Sequence, residues 1–346
     1  MTADTKETTE IAIQLKDIQQ TNENIFFIVG TSRSGSTLLQ SMLNTHSKIT
    51  IPPETHFFHS LSALLQWNKR LEPAEFRSRL IDFWYRHKTR LRDLGLDQQQ
   101  IRKQAEQLEL SEPIDLFSLQ LTAYRMQRGK EVVGEKTPRH IRHIDQILSY
   151  FPQAKIISLF RDPRATANSE INAQFGSPSV MITTQRWREY VELHHQYQQR
   201  LPEDIYMMTR YRDLIDDPAG TLEHIINHLG YEFEEEMLQY YRRDQEEQGF
   251  APGEMDWKNE TLEPLKTNKN ESWKTELSDW QVAIVEETAG SWLPYMGYDA
   301  QMDKMNVWKR ILYSGLDWSR SAVATILGSR NEGYQEPGRF SLKNNS

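Results

Sequence analysis

The amino-acid sequence predicts an α/β chain in which a mostly parallel sheet is covered by helices on both faces. Three observations carry that prediction. Short apolar, β-branched runs recur at residues 25–29, 154–160 and 205–208, the pattern of strands buried on both faces. Stretches with helical spacing separate them, as parallel strands require of their crossovers. A turn bounded by Gly30 and Gly35 lies where the first strand gives way to the first helix.

Taken in order, residues 1–24 read as a polar leader, and 25–29 as a buried strand ending at Gly30. The next helix carries Leu39 and Leu43 on one face. Residues 49–51 form a short strand stopped by Pro52 and Pro53. From about 61 to 128 the chain is rich in Leu, Gln, Arg and Glu, which predicts a helical insertion broken near Pro73, Gly95 and Pro113. Val132-Val133 followed by Gly134 suggests a strand end, and residues 154–160 a central strand. A helix then begins near Arg164, and 205–208 make a later strand. Residues 25–298 therefore form the main domain and 299–346 a C-terminal extension.

The 346 residues include no Cys, which excludes disulfides, a thiol nucleophile and Cys-ligated metal. That suits a reducing compartment. Residues 1–20 lack a secretory pattern, so the expected location is cytoplasmic. No run reaches the ~18 apolar residues of a membrane span. The net charge of −8 argues against nucleic acid as a partner but leaves room for a basic pocket. Residues 231–260 hold ten acidic side chains, whereas 304–346 hold seven basic residues against three acidic ones.

Thr31, Ser32, Arg33, Ser34, Gly35, Ser36 and Thr37 have the spacing of a phosphate-binding loop. The glycines permit a tight turn, so successive amides can surround an anion at the helix N-terminus. The fold is thus expected to be a P-loop-like three-layer α/β fold with helical insertions. Ser36 stands where a nucleoside triphosphatase carries lysine, and Arg33 is the cation in the loop. The strand ending at Phe160 is followed by Arg161, with Asp162 one place late for a Mg²⁺ ligand. Both departures disfavour triphosphate chemistry, although an ATP-dependent small-molecule kinase stays an alternative. A nucleotide-binding regulatory module without transfer activity is the other.

With these motifs the chain resembles the superfamily of sulfotransferases that use 3'-phosphoadenosine 5'-phosphosulfate (PAPS), especially its microbial branch related to protein-tyrosine sulfotransferases. Residues 30–37 match the family's 5'-phosphosulfate loop. Residues 158–164, continuing to Ser169, match its 3'-phosphate element, and the resemblance implies that Arg161 and Ser169 grip that phosphate. Tyr211-Arg212-Asp213-Leu214 resembles a further landmark, with Arg212 replacing its usual acid. Residues 270–274, including Ser272 and Trp273, resemble the segment that closes over the nucleotide. PAPS is the implied donor and 3'-phosphoadenosine 5'-phosphate (PAP) the product.

Glu54 is the expected general base. It follows the stiff Pro52-Pro53 turn and is similar in placement to the catalytic glutamate of tyrosylprotein sulfotransferases; His56 and His59 are the alternatives. Lys136, in a Gly-Glu-Lys-Thr-Pro run that follows a strand, resembles the family's Lys-x-Pro element, whose lysine reaches the transferring sulfuryl group or the bridging oxygen. Arg33 is the third catalytic candidate, and Glu135 is expected to tune or cap. His140 and His143 share a face without a completing carboxylate, so no metal is expected.

Acceptor identity is open among small molecules, lipids, saccharides and peptides. Trp67, Phe83, Trp84, Tyr85 and Phe117 are candidates for an aromatic wall or for core anchors. Tyr124, Arg125, Arg128 and Arg139 would favour an acidic acceptor, and Arg164 reads as a supporting or surface charge. In the extension, Trp308, Ile311, Leu312, Leu316, Val323 and Leu327 form a broken amphipathic pattern, with Gly315 arguing against one continuous helix. Docking on the body, a homo-oligomer contact and peripheral membrane contact are its three readings.

Overall fold

A computed structural model describes residues 12–86, 90–173, 176–242, 263–265 and 271–326. The first half runs α1 (Leu15–Asn24), β1 (Phe26–Gly30), α2 (Ser36–Thr45), β2 (Ile49–Thr50), α3 (Phe57–Asn68), α4 (Pro73–Arg86), α5 (Gln98–Gln107), α6 (Pro113–Gln127) and β3 (Val132–Lys136). It continues through α7 (Ile144–Tyr150), β4 (Lys155–Phe160), α8 (Pro163–Ile171), α9 (Val180–Arg200), β5 (Tyr206–Arg210), α10 (Tyr211–Asp216) and α11 (Pro218–Leu229). The chain closes with α12 (Trp273–Glu276), α13 (Asp279–Ala289), α14 (Trp292–Tyr295) and α15 (Val307–Ile326).

The five strands are parallel in the order β2-β3-β1-β4-β5, so β1 takes the middle place, with β4 beside it. Successive side chains of a strand point to opposite faces, and β1 shows the consequence. Phe27 and Val29 enter the core under the helical insertion, while Phe26 and Ile28 enter the core shared with α2 and α11. Burial on both sides explains why this strand reads as a continuous apolar run.

Gly134 does not end its strand. A side chain there would stand 2.3 Å from the Phe26 ring, so glycine lets the neighbouring strand carry a phenylalanine. β3 consequently runs on to Lys136, which is the last residue of the strand and not part of a loop beyond it. Ile28 pairs in register with Lys136, setting that lysine two residues upstream of the Gly30 turn on the adjacent strand.

The insertion breaks into helices at Pro73 and Pro113 as expected. Its aromatics are core anchors and not a pocket wall. Phe57 stacks on Phe117 with ring centroids 4.0 Å apart, Trp84 and Phe117 are buried, and Trp67, Phe83 and Tyr85 pack against the same core. Arg125 is buried against Thr21 and the Lys130 carbonyl, and Arg128 stacks on Tyr124. These groups are engaged in packing, so the expected acidic-acceptor role for them is not supported.

The polar leader is part of the folded body from Ile13 onward. Ile13, Ile18 and Thr21 are buried, and the Thr122 hydroxyl of α6 donates to Thr21 Oγ1 at 2.9 Å. At the other end, α15 continues through Gly315. Of the apolar positions in the extension, Leu327 lies outside the described residues, as do Asn270 and most of the acidic stretch after Arg242.

Candidate active site

Residues 30–37 connect β1 to α2 along the carboxyl edge of the sheet, where ligands of open α/β folds bind. The Thr31 amide donates to Leu159 O (3.3 Å), and the Ser34 hydroxyl donates to Thr31 O (2.6 Å). Gly35 is the α2 N-cap at φ +90°, and a Cβ there would meet the Tyr211 ring at 2.2 Å. Glycine thus satisfies both the left-handed backbone and the approach of Tyr211. Having no side chain, it caps none of the first-turn amides, which leaves the positive end of the helix for a ligand anion.

Arg33 also has positive φ (64°), and its Nε donates to Ser169 Oγ at 3.0 Å. Arg161 Nη1 lies 3.4 Å from Arg33 O, and its guanidinium stands 4.5 Å over the Tyr211 ring. Arg33, Arg161, Ser169 and Tyr211 therefore form one cluster. Burial works against the Arg161 charge and the nearby Arg33 adds to it, although Tyr211 partly offsets them. A bound phosphate would relieve that crowding. The buried Thr31 hydroxyl has no protein partner, which also fits an anion held in this loop.

Ser272 and Trp273 dock beside the cluster. Asn168 donates to Ser272 Oγ at 3.3 Å, and Arg164 lies 4.1 Å over the Trp273 ring. Arg164 is no surface charge. It is buried, bonded to Asp162 (2.7 Å), Glu286 (2.6 Å) and Asp299 O (2.9 Å), and so ties α8 to α13. Asp162 caps α8 through Arg164 N and receives the Arg164 guanidinium. It is consumed in that role, which weakens its candidacy as a Mg²⁺ ligand.

The second group lies at the end of β3. Lys136 Nζ donates to Glu54 Oε1 at 2.5 Å, and His56 Nε2 stands 3.2 Å from Glu54 Oε2. Lys136 is fully buried whereas Glu54 is 23% exposed, so the carboxylate is the member that reaches the open side.

Beneath them is a network that the spacing of residues did not reveal. Glu135 is fully buried. Its Oε1 accepts from Thr55 N (3.3 Å), the Thr55 hydroxyl (2.8 Å) and the Thr137 hydroxyl (2.6 Å). Its Oε2 lies 2.8 Å from His140 Nδ1. Burial pushes the Glu135 carboxyl up, but His140 and the two hydroxyls more than offset this and hold it low. Thr55 follows Glu54 and Thr137 follows Lys136, so one carboxylate ties together the backbones that carry the ion pair. The available sequence signal was an acidic residue inside a buried strand, since such a charge needs partners.

His59 sits among His56, His140 and His143, with ring centroids 5.0–5.7 Å away. Burial and then the neighbouring histidines lower its pKa to about 2. That makes it a weaker proton acceptor near neutrality than an ordinary imidazole. Among the described residues, no group of three or more His, Asp or Glu is arranged to hold a metal ion.

Together these features define a P-loop-like α/β fold with a glycine-bounded loop at a helix N-terminus and an adjacent Glu54–Lys136 ion pair. A family model for the sulfotransferase family matches residues 26–235, and the chain belongs to that family. The protein-tyrosine sulfotransferase of Drosophila melanogaster is 24% identical over 221 residues, covering 62% of this chain and 40% of that protein. The omega-hydroxy-beta-dihydromenaquinone-9 sulfotransferase of Mycobacterium tuberculosis is 31% identical over 121 residues, 30% of each chain. The chain thus spans less than half the length of either curated relative. Among solved structures, the sulfotransferase domain of the Synechococcus PCC 7002 olefin synthase superposes with a TM-score of 0.59 at 23% identity, covering 81% of this chain and 96% of that one. That likeness supports the fold.

Proposed function

We propose that this chain transfers a sulfuryl group from PAPS to an acceptor hydroxyl or amine, with Glu54 as general base. The observation that carries the reading is the Glu54–Lys136 pair at the end of β3, beside the strand that feeds the phosphate loop. PAPS supplies an activated sulfur whose bond to the 5'-phosphate oxygen breaks as the acceptor oxygen or nitrogen attacks, leaving PAP.

The chain's own groups divide the work. Glu54 takes the acceptor proton from its exposed side. Lys136 and the loop amides face the negative charge that grows on the departing phosphate oxygen, the kind of preorganised stabilisation that lowers a barrier most. No acid is needed for a leaving group that is already a stable phosphate. Arg161, Ser169 and Arg33 hold the 3'-phosphate. Arg33 was expected at the phosphosulfate, and its bond to Ser169 supports the 3' side instead. The acceptor is a small molecule, lipid, saccharide or peptide. Two relatives are named for a protein tyrosine and for a hydroxylated menaquinone, both of which present a hydroxyl.

Calorimetry tests the donor assignment. PAP should bind at least about tenfold more tightly than AMP, because charge-assisted hydrogen bonds to the 3'-phosphate contribute about 1.5–3 kcal/mol each. Arg161→Ala should remove most of that difference and leave AMP affinity little changed. Equal binding of PAP and AMP by the wild type would remove the 3'-phosphate clamp and with it the choice of PAPS.

A further inference from the structure

α15 docks through its polar side and leaves its apolar side facing outward. The buried Asp317 accepts from the Ser179 hydroxyl, from Val180 N (3.0 Å) and from Met181 N (3.2 Å), which caps the N-terminus of α9. Tyr313, on the same side, packs near Trp280. With about 3.6 residues per turn, Trp308, Ile311, Leu312, Leu316 and Trp318 fall on the half of the helix opposite Asp317. All five are exposed, Trp308 by 76% and Trp318 by 69%. Among the described residues, nine large apolar side chains are exposed, and six of them, counting Val307, lie on this one helix. Isolated exposed apolar residues are ordinary; a contiguous set on one helix face marks a contact surface.

Charge decides what the surface fits. Lys304 and Lys309 are exposed beside it, whereas Arg310 lies on the docked side, 3.5 Å from Glu287. Among residues 304–319 the charged side chains are Lys304, Lys309, Arg310 and Asp317. The one acid, Asp317, is buried in the α9 cap and presents no charge outward. Two tryptophans and branched aliphatics on one face, flanked by lysine, are the composition of a helix lying in a membrane interface. Symmetric pairing with a second copy would instead set the same basic flank against itself.

We propose that this face binds an anionic lipid surface, with α15 lying in the plane of the interface. No helix among the described residues is long and apolar enough to cross a membrane, so the contact is peripheral. It is independent of the transfer reaction, because none of these side chains belongs to the phosphate cradle or the Glu54 pair.

Co-sedimentation of the full chain with vesicles tests this. Phosphatidylcholine vesicles containing phosphatidylglycerol should bind at least about tenfold more protein than phosphatidylcholine alone, and added salt should weaken that binding. Trp308→Glu combined with Ile311→Glu should lower binding at least about tenfold without shifting the melting temperature, since both side chains point away from the body. Lys309→Glu should weaken only the phosphatidylglycerol arm. Equal binding to the two vesicle types, or binding unaffected by the double substitution, would overturn the proposal. So would a dimer in light scattering that Ile311→Glu dissolves while vesicles bind nothing.

Discussion

Glu54→Gln should bind PAP as the wild type does and turn over about 10²–10⁴-fold more slowly, the usual contribution of a positioned general base. Glutamine keeps the side chain's volume and an oxygen that can accept from Lys136. It cannot take a proton from the acceptor. In the proposed mechanism the base acts at the sulfuryl end, whereas the Arg33, Arg161 and Ser169 cluster assigned to the 3'-phosphate lies on other elements. Rate and affinity should therefore separate, with kcat falling at saturating PAPS and calorimetric affinity unchanged. The substitution also leaves the buried Lys136 without its ion pair, so thermal melting must first show a folded protein. Near-normal turnover in a folded variant would remove Glu54 as the base. His56, whose Nε2 stands 3.2 Å from Glu54 Oε2, would then be the next candidate.

Glu135→Ala is expected to have the largest effect on stability, about 3–5 kcal/mol, the usual consequence of removing one partner from a buried ionic and hydrogen-bonded set. The loss leaves the Thr55 amide, two hydroxyls and His140 without their shared acceptor. Glu135→Gln keeps an accepting oxygen and should cost less. Chemical denaturation of the three proteins measures the difference; an Ala variant as stable as the wild type would show that the network contributes nothing.

The pH dependence of the same measurement carries a second signature. His59 and His143 are held neutral, with pKa values of about 2 and about 4 set first by burial and then largely by neighbouring positive charge. Their contribution is fully present above the unfolded value near 6.5 and is lost as pH falls through the range down to those folded values. Glu135, also depressed, contributes stability above the unfolded carboxylate value of about 4.3 and loses it as pH falls further. Denaturation should therefore become easier below about pH 6.5 in all three proteins, and the further loss below the carboxylate range should be larger in the wild type than in either Glu135 variant.

Much of this fold was legible because its signals are local. A strand buried on both faces reads as an apolar run, and prolines open α4, α6, α8 and α11. The phosphate loop was legible for the same reason, since glycines, hydroxyls and an arginine are contiguous in sequence. What the residues alone did not show depends on pairs distant in the chain. The Gly134 position makes sense only beside Phe26, and Arg164 becomes a buried hub only once Glu286 arrives from more than a hundred residues away. Gly315 suggested a helix break, yet α15 continues because Asp317 anchors it to α9 and tertiary contact outweighs the ~1 kcal/mol helix penalty of one glycine. The Glu135 network was hidden for a similar reason, because its partners come from residues 55, 137 and 140. Glu54 and Lys136 were each legible as candidates, and the structure brings the two to 2.5 Å.

The most direct test of sulfuryl transfer is to incubate the purified chain with radiolabelled PAPS and a lysate of its source organism, and to follow label and added sulfate by mass spectrometry. The proposed mechanism predicts label in at least one acceptor together with release of PAP, both slowed about 10²–10⁴-fold in Glu54→Gln. Binding of PAPS with no labelled acceptor and no PAP formed would contradict it, and would leave a nucleotide-binding module on a sulfotransferase fold.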